Sequence, residues 1–368
     1  MSDSGPTVFL SAGEASGDQH GAELARELRR RIPEVRLVGL GGSRMAGEGV
    51  ELLADLDRLA VLGFAEVVRR LPDLMALRRQ AYGVLESSQV DLVVPIDYPG
   101  FNLPLSGRAR RLSIPVLYYI APQVWAWKER RARSLAAWTD EVCVVLPFER
   151  ELLAGYGANV SFVGHPLLDH AYPVAGADSS ALGLFPGSRP QEVERMLPVF
   201  LEAAKLLAGD RPDLRVLVAR SQDLPDSAYD DCPKVLLASP DEVLRESRAA
   251  ITKSGTITLQ LALSRIPMVV GYRVHPLTYR ILKRLVRLDH IALVNLVAER
   301  KVVEERIQSA MSPEALAEEA AALLDDSGRR ERMLHQLADV KERLGTPGAA
   351  VRVADACIRL LVDRGFDL

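Results

Sequence analysis

The feature that most constrains this chain is an alternation. Short apolar runs, mostly β-branched, recur along it, and several are followed by stretches whose apolar positions repeat at helical spacing. In the first half, residues 7–12, 36–40, 91–97, 116–120, 141–146 and 160–163 read as strands, and residues 19–31 as a helix. Strands joined through helices run parallel, because the crossover returns the chain to the same edge in the same direction. Strands that are apolar along their whole length, rather than at every second position, are covered on both faces. The second half restarts the pattern: strands at 181–185, 214–218, 235–238, 249–252 and 268–271, with a helix at 190–207 after the first. Between the halves, residues 172–180 are rich in Ala, Gly, Pro and Ser and read as a linker. The expected fold is α/β, with two doubly wound Rossmann-like domains facing a cleft, at residues 1–171 and 181–345. A last helix, within residues 349–368, is expected to cross back onto the first domain.

Length agrees with two domains: 368 residues, of which 48% are hydrophobic and 26% charged, suit two globular cores. The net charge of −3 provides no general field for nucleic acid, so an anionic ligand must be held by a local cluster. Cys143, Cys232 and Cys357 are far apart, show neither metal-ligand nor disulfide-framework spacing, and point to a reducing compartment. The start lacks a basic segment ahead of an apolar run, and no apolar stretch approaches the roughly 18 residues of a membrane span. The chain is expected to be cytoplasmic, attached at most to a membrane surface.

Open parallel sheets bind ligands beyond the carboxyl ends of their strands, so residues just after strands matter most. Gly13, Glu14, Ser16 and Asp18 follow the first strand and open a helix; they suit either a phosphate turn or a tight turn with a side-chain cap. Asp97 ends the third strand recognised, where a carboxylate suits a general base or a helix cap. Trp125 and Trp127 follow the next strand and could stack on a sugar or pack an interface. His165 ends the last strand of this half, as a structural or a site histidine. In the second half, Gly187, Ser188 and Arg189 join a strand to a helix. Glycine permits close approach of a ligand, the helix start offers free N–H groups, and the arginine adds a forked cation, which together suit a diphosphate. Ser254, Gly255 and Thr256 repeat the arrangement after another strand, and Gln260 lies two turns on, where its amide could meet a ribose.

Three further stretches have both readings. Asp55 and Asp57 match a two-aspartate metal pattern that is common by chance. Residues 59–71 could line an acyl groove or form a core helix. Residues 279–287 interleave Arg280, Lys283, Arg284 and Arg287 with apolar residues, which suits an anionic membrane surface or a solvated helix face.

Taken in order, these residues resemble the lipid-A-disaccharide synthase family. The likeness runs through Ala12-Gly13-Glu14-Ala15-Ser16-Gly17-Asp18, Gly41-Gly42-Ser43-Arg44-Met45, residues 59–67, Ile96-Asp97, Phe101-Asn102, residues 122–127, Leu146-Pro147-Phe148-Glu149 and Gly164-His165-Pro166. It continues through Pro186-Gly187-Ser188-Arg189, Glu192-Val193-Glu194, Ser254-Gly255-Thr256, residues 267–273 and Asn295-Leu296. The resemblance implies the two-domain GT-B architecture and an inverting, metal-independent glycosyl transfer with no cofactor. It implies a UDP-linked 2,3-diacylglucosamine as donor, a 2,3-diacylglucosamine 1-phosphate as acceptor, release of UDP, and work at the inner face of the bacterial cytoplasmic membrane. A second copy of the chain is a candidate partner. On this reading Asp97 is the base, Arg189 with Gly187 and Ser188 stabilises departing UDP, Ser254, Gly255 and Thr256 hold the other side of the diphosphate, and Asn295 and Gln260 orient uridine or ribose. Gly13, Glu14, Ser16, Asp18, Trp125 and His165 fall to the acceptor side. This chain departs from the family at Gly100, where a second acid is frequent, and at Gln260, where glutamate is usual. Other enzymes that handle UDP-N-acetylglucosamine, such as a muramyl-lipid glycosyltransferase or an epimerase, and a non-catalytic binding homologue are the alternatives.

Overall fold

A computed structural model describes residues 5–55, 71–87, 89–123, 129–174, 181–222, 224–229, 236–275, 279–280 and 289–368. The chain divides into two compact units, Met1–Asp169 with Gly345–Leu368, and His170–Leu344.

The first unit holds a seven-stranded parallel sheet in the order β3-β2-β1-β4-β5-β6-β7. Its strands are β1 (Thr7–Ala12), β2 (Arg36–Gly41), β3 (Glu51–Asp55), β4 (Leu92–Ile96), β5 (Leu117–Tyr119), β6 (Glu141–Val144) and β7 (Val160–Phe162). Helices α1 (Ala15–Arg31), α2 (Ser43–Gly47), α3 (Leu71–Glu86), α4 (Pro99–Arg111), α5 (Glu129–Trp138) and α6 (Pro147–Ala154) connect them. The central strands are buried along their length; β4 is Leu-Val-Val-Pro-Ile, with every residue buried. Such a strand survives only between two layers, because either face exposed would leave aliphatic surface in water.

The second unit repeats the plan with six parallel strands in the order β10-β9-β8-β11-β12-β13. They are β8 (Ala181–Phe185), β9 (Val216–Ala219), β10 (Leu236–Ala238), β11 (Ser247–Thr252), β12 (Met268–Tyr272) and β13 (Glu305–Ile307). Its helices are α7 (Pro190–Gly209), α8 (Pro240–Glu246), α9 (Ile257–Leu263), α10 (Leu293–Ala298), α11 (Pro313–Asp325) and α12 (Ser327–Arg343).

The final helix, α13 (Ala349–Val362), returns to the first unit, where it packs on α1. Asp169 accepts the backbone N–H groups of Gly348 and Ala349 at its start, the second at 3.2 Å. Arg352 reaches back to the carbonyl of Val163 at 2.8 Å.

Strands β3 and β13 were not expected from the sequence. β13, Glu-Arg-Ile, carries two charges in three residues, and β3 ends Ala-Asp, so neither reads as an apolar run. Neighbouring strands, which supply the ladder of hydrogen bonds, decide both.

In each sheet the chain first moves outward on one side, then restarts on the other. The reversal falls between β1 and β4 in the first unit and between β8 and β11 in the second. In doubly wound sheets the loops after the two strands at such a reversal diverge, which makes this the usual ligand position.

Candidate active site and nucleotide site

At the first reversal, β1 and β4 run side by side to the pair Ala12↔Ile96. Gly13 follows one strand and Asp97 the other. A Cβ on Gly13 would lie 2.3 Å from the ring of Tyr98, so glycine is what lets these turns close on each other. Asp97 and Tyr98 both have φ of 46°, two successive non-glycine residues in the left-handed region. Each such residue costs about 1–2 kcal/mol, and the surroundings over-determine the conformation. The Asp97 N–H donates to the carbonyl of Tyr119 at 3.0 Å. Its carbonyl accepts the Tyr118 hydroxyl at 2.6 Å and the Asn102 amide at 2.8 Å.

Asn102, fully buried, is the clamp beneath this turn. Its amide nitrogen also faces the carbonyls of Ser11 at 3.0 Å and Ile96 at 3.1 Å, and its oxygen accepts the Ser11 hydroxyl at 2.6 Å. It thus ties the ends of β1 and β4 to the strained turn.

The Asp97 carboxyl is raised to about 6, chiefly by burial and then by the charge of Glu14; the N–H of Tyr98 and the charges of His20 and Arg131 oppose the rise. A carboxyl at that value is ionised near neutrality yet basic enough to accept a proton from a hydroxyl in a transition state. His20, Arg131, Tyr118 and the clamping role of Asn102 were missed in the sequence, because only the fold brings these positions to Asp97.

The other first-unit candidates divide. Glu14 is exposed and occupies the N-cap position of α1; Ser16 is exposed in the first turn. Asp18 is buried, and its carboxylate accepts the N–H groups of Gly42 at 2.7 Å, Met45 at 3.1 Å and Arg44 at 3.1 Å. Asp18 therefore caps α2 from across the sheet edge, a structural duty that engages both oxygens. His165 is buried and lowered to about 4 by burial and by His20, so its imidazole is neutral at physiological pH. Its Nδ1 accepts the Leu167 N–H at 3.2 Å, which shapes the turn after β7. Trp125 and Trp127, Asp57 and residues 59–70 lie outside the described residues, as do 281–287 of the basic stretch; Asp55 closes β3.

At the second reversal, β8 and β11 pair through Phe185↔Thr252, and the Lys253 N–H donates to the Phe185 carbonyl at 3.0 Å. The loops holding Gly187–Ser188–Arg189 and Ser254–Gly255–Thr256 are therefore neighbours at one sheet edge. Gly187 has φ of 125° and Gly255 φ of 141°, conformations that favour glycine. Arg189 is the exposed N-cap residue of the twenty-residue α7, and Thr256 the N-cap of α9. The Ser254 hydroxyl donates to the Ile291 carbonyl at 2.7 Å, which fixes the loop and leaves its lone pairs to accept. Gln260 is partly exposed one turn into α9.

Asn295, for which the resemblance implies a part in orienting uridine or ribose, is held inside the second unit. It is fully buried, and both ends of its amide are used within the protein. The oxygen accepts the N–H groups of Val302 at 2.7 Å and Val303 at 2.9 Å; the nitrogen donates to Val303 O at 3.0 Å and to the Glu305 carboxylate at 2.7 Å. Glu305 in turn accepts the N–H groups of Ile291 and Ala292, each at 3.0 Å. Asn295 thus supports, through Glu305 and Ile291, the loop that fixes Ser254.

A family model described as lipid-A-disaccharide synthetase matches residues 8–348. The lipid-A-disaccharide synthase of Geobacter sulfurreducens is 40% identical over 374 residues, covering 96% of this chain and 97% of that one. That of Nitrosococcus oceani is 39% identical over 381 residues, covering 98% of each. The chain belongs to the lipid-A-disaccharide synthase family. Members of this family are hexosyltransferases, and the architecture agrees: the glycosyltransferase of kitacinnamycin superposes with a TM-score of 0.66 at 18% identity over 98% of this chain and all of that one. The Neisseria meningitidis UDP-N-acetylglucosamine 2-epimerase superposes with a TM-score of 0.65 at 12% identity, over 96% of this chain and all of that one. At these identities the likeness is one of fold, the two-Rossmann-domain GT-B type.

Proposed function

We infer that this protein is an inverting glycosyltransferase that joins UDP-2,3-diacylglucosamine to 2,3-diacylglucosamine 1-phosphate, giving the lipid A disaccharide 1-phosphate and UDP. Family membership over almost the whole chain supports the substrates. The observation that carries the chemistry is Asp97, a half-buried carboxylate with a pKa raised to about 6, held by a strained turn at the reversal of the first sheet.

The acceptor's 6-hydroxyl attacks the anomeric carbon of the donor as its proton passes to the Asp97 carboxylate. A new C–O bond forms on the face opposite the leaving group, and the bond from the anomeric carbon to UDP breaks. Negative charge grows on the departing diphosphate, where Arg189 and the N–H groups around Gly187 and Ser188 stabilise it. Groups oriented in advance cost no reorganisation at that moment, which makes them effective. Ser254, Gly255 and Thr256 hold the other side of the diphosphate, and Gln260 faces the ribose. Glu14, exposed and near enough for its charge to act on Asp97, and Ser16, exposed two residues on, belong with the acceptor.

No helix among the described residues is long and apolar enough to cross a membrane. The acylated substrates nevertheless sit in one, so the protein attaches peripherally at the inner face of the cytoplasmic membrane, with the basic stretch 279–287 against anionic headgroups.

The deciding experiment is mass spectrometry of the products from purified protein and the two acylated substrates. A tetra-acylated disaccharide 1-phosphate with one equivalent of UDP is expected. An epimerised sugar, or UDP without disaccharide, would overturn this assignment.

A further inference from the structure

At the second reversal a carboxylate already sits where an oxyanion would be bound. Glu192 lies in the first turn of α7, and its Oε2 accepts the Ser188 N–H at 3.2 Å. The same oxygen would be 2.4 Å from a Cβ on Gly187, so the bare backbone of that glycine makes the approach possible. The other oxygen, Oε1, accepts from the Lys253 ammonium at 3.1 Å. Lys253 follows β11, and a Cβ on Gly255 would stand 3.0 Å from its Nζ. The ammonium is paired to α7 through Glu192, and it stands near enough to Gly255 that a side chain there would crowd it. Lys253 and Glu192 are both partly buried, with side-chain exposures of 18% and 15%. Tyr272, at the end of β12, is raised by burial and then by Glu192, and lowered by Arg189 and Arg195, so these charges share one end of the sheet.

We propose that Lys253 is a diphosphate-binding residue and that Glu192 is the internal anion with which the donor competes for it. A diphosphate oxygen and the Glu192 carboxylate make the same demands: an N–H at the glycine turn and a cation between the two loops. Both cannot satisfy them at once. Donor binding therefore transfers the Ser188 N–H and the Lys253 ammonium from Glu192 to the diphosphate. Departure of UDP returns them, so the lysine never remains as an unpaired, partly buried charge. This rests on reading the second unit as the UDP site, and it adds a cation and a competitor that the glycine loop and Arg189 do not include.

The test is calorimetric titration with UDP, UMP and uridine against the parent protein and the variants Lys253→Met, Lys253→Arg, Glu192→Gln and Arg189→Ala. Far-ultraviolet dichroism and thermal melting confirm that each is folded. K253M is expected to weaken UDP about 10- to 100-fold, the range of a charge-assisted hydrogen bond, while uridine binding stays unchanged. K253R restores most of the loss. E192Q tightens UDP several-fold, because a neutral amide competes less well for the ammonium. Unchanged UDP affinity in K253M, or an equal loss for uridine and UDP, would overturn the role of Lys253. Weaker UDP binding in E192Q would overturn competition. Failure of the underlying site is separate: UDP would then bind neither the parent protein nor any variant in a way that depends on Arg189.

Discussion

The ring of Tyr98 covers the α-carbon of Gly13 so closely that a Cβ there would come within 2.3 Å of it. The two residues follow adjacent strands, and Tyr98 cannot retreat easily, because it and Asp97 are fixed in left-handed conformations above Asn102. Gly13→Ala is expected to destabilise the first unit by about 1–3 kcal/mol, the usual cost of overpacking, and to lower turnover by displacing Asp97. Trimming the ring in G13A/Y98A should recover part of the stability. Urea denaturation of the single and double variants measures both, and a G13A protein as stable as its parent would show that the turn yields.

Asp97→Asn should keep the fold and UDP affinity while lowering turnover about 100- to 10,000-fold. In the parent protein, kcat/KM should rise with pH as Asp97 ionises, with a limb near pH 6, and D97N should lack that limb. Steady-state kinetics across pH 5–8 decides; near-normal turnover in folded D97N would exclude the base.

The same carboxyl makes a stability prediction of opposite direction. Its folded value of about 6 lies above the ordinary 3.8, so the folded state holds the proton more tightly. Its contribution is therefore full below about pH 3.8 and lost as pH rises through 6. The 2-unit difference corresponds to about 3 kcal/mol. D97N carries no such cost, and asparagine tolerates the left-handed region. D97N should thus be more stable than the parent at pH 8, by up to about 3 kcal/mol, with the gap shrinking towards pH 5. Chemical denaturation at both pH values tests this, and a gap independent of pH would refute it.

Arg189→Ala should weaken UDP binding about 10-fold or more and also slow the chemical step, because charge on the leaving group grows in the transition state. Pre-steady-state kinetics separates the two effects. Activity should persist in chelator, since cations of the protein serve the diphosphate. Loss in chelator with recovery in magnesium would reverse that view, and an effect of R189A on acceptor affinity alone would move Arg189 to the other substrate.

Asn295→Ala strips partners from Val302, Val303 and Glu305 at once. A loss of about 3 kcal/mol is expected, from buried polar groups left unsatisfied. The folded fraction should bind UDP with little change, which calorimetry at low temperature would show. A large affinity loss without loss of stability would mean a direct contact with the nucleotide.

The sequence by itself determined the layered architecture and the addresses of the site. Period and punctuation are local properties: apolar runs at β8 and β11, a glycine after or near each, and a helix start beyond them are all visible in the order of residues. They placed Asp97, Gly187, Arg189 and Ser254 at strand ends, and the ordered motifs gave the family. The tertiary structure alone decided what those side chains meet. Asp18 read equally as part of a phosphate turn or as a cap, and Asn295 as a nucleotide contact; in the fold both are engaged by backbone groups of other segments, Asp18 by Gly42, Arg44 and Met45. His20, Arg131 and Tyr118 reached Asp97 unannounced, and Lys253 found Glu192 across 61 residues. The physical reason is one of range. Strand and helix formation respond to neighbours a few residues away, whereas a buried polar group must be satisfied by whatever the strand order brings beside it. That order, with its reversals at β1–β4 and β8–β11, exists only once the sheets have formed.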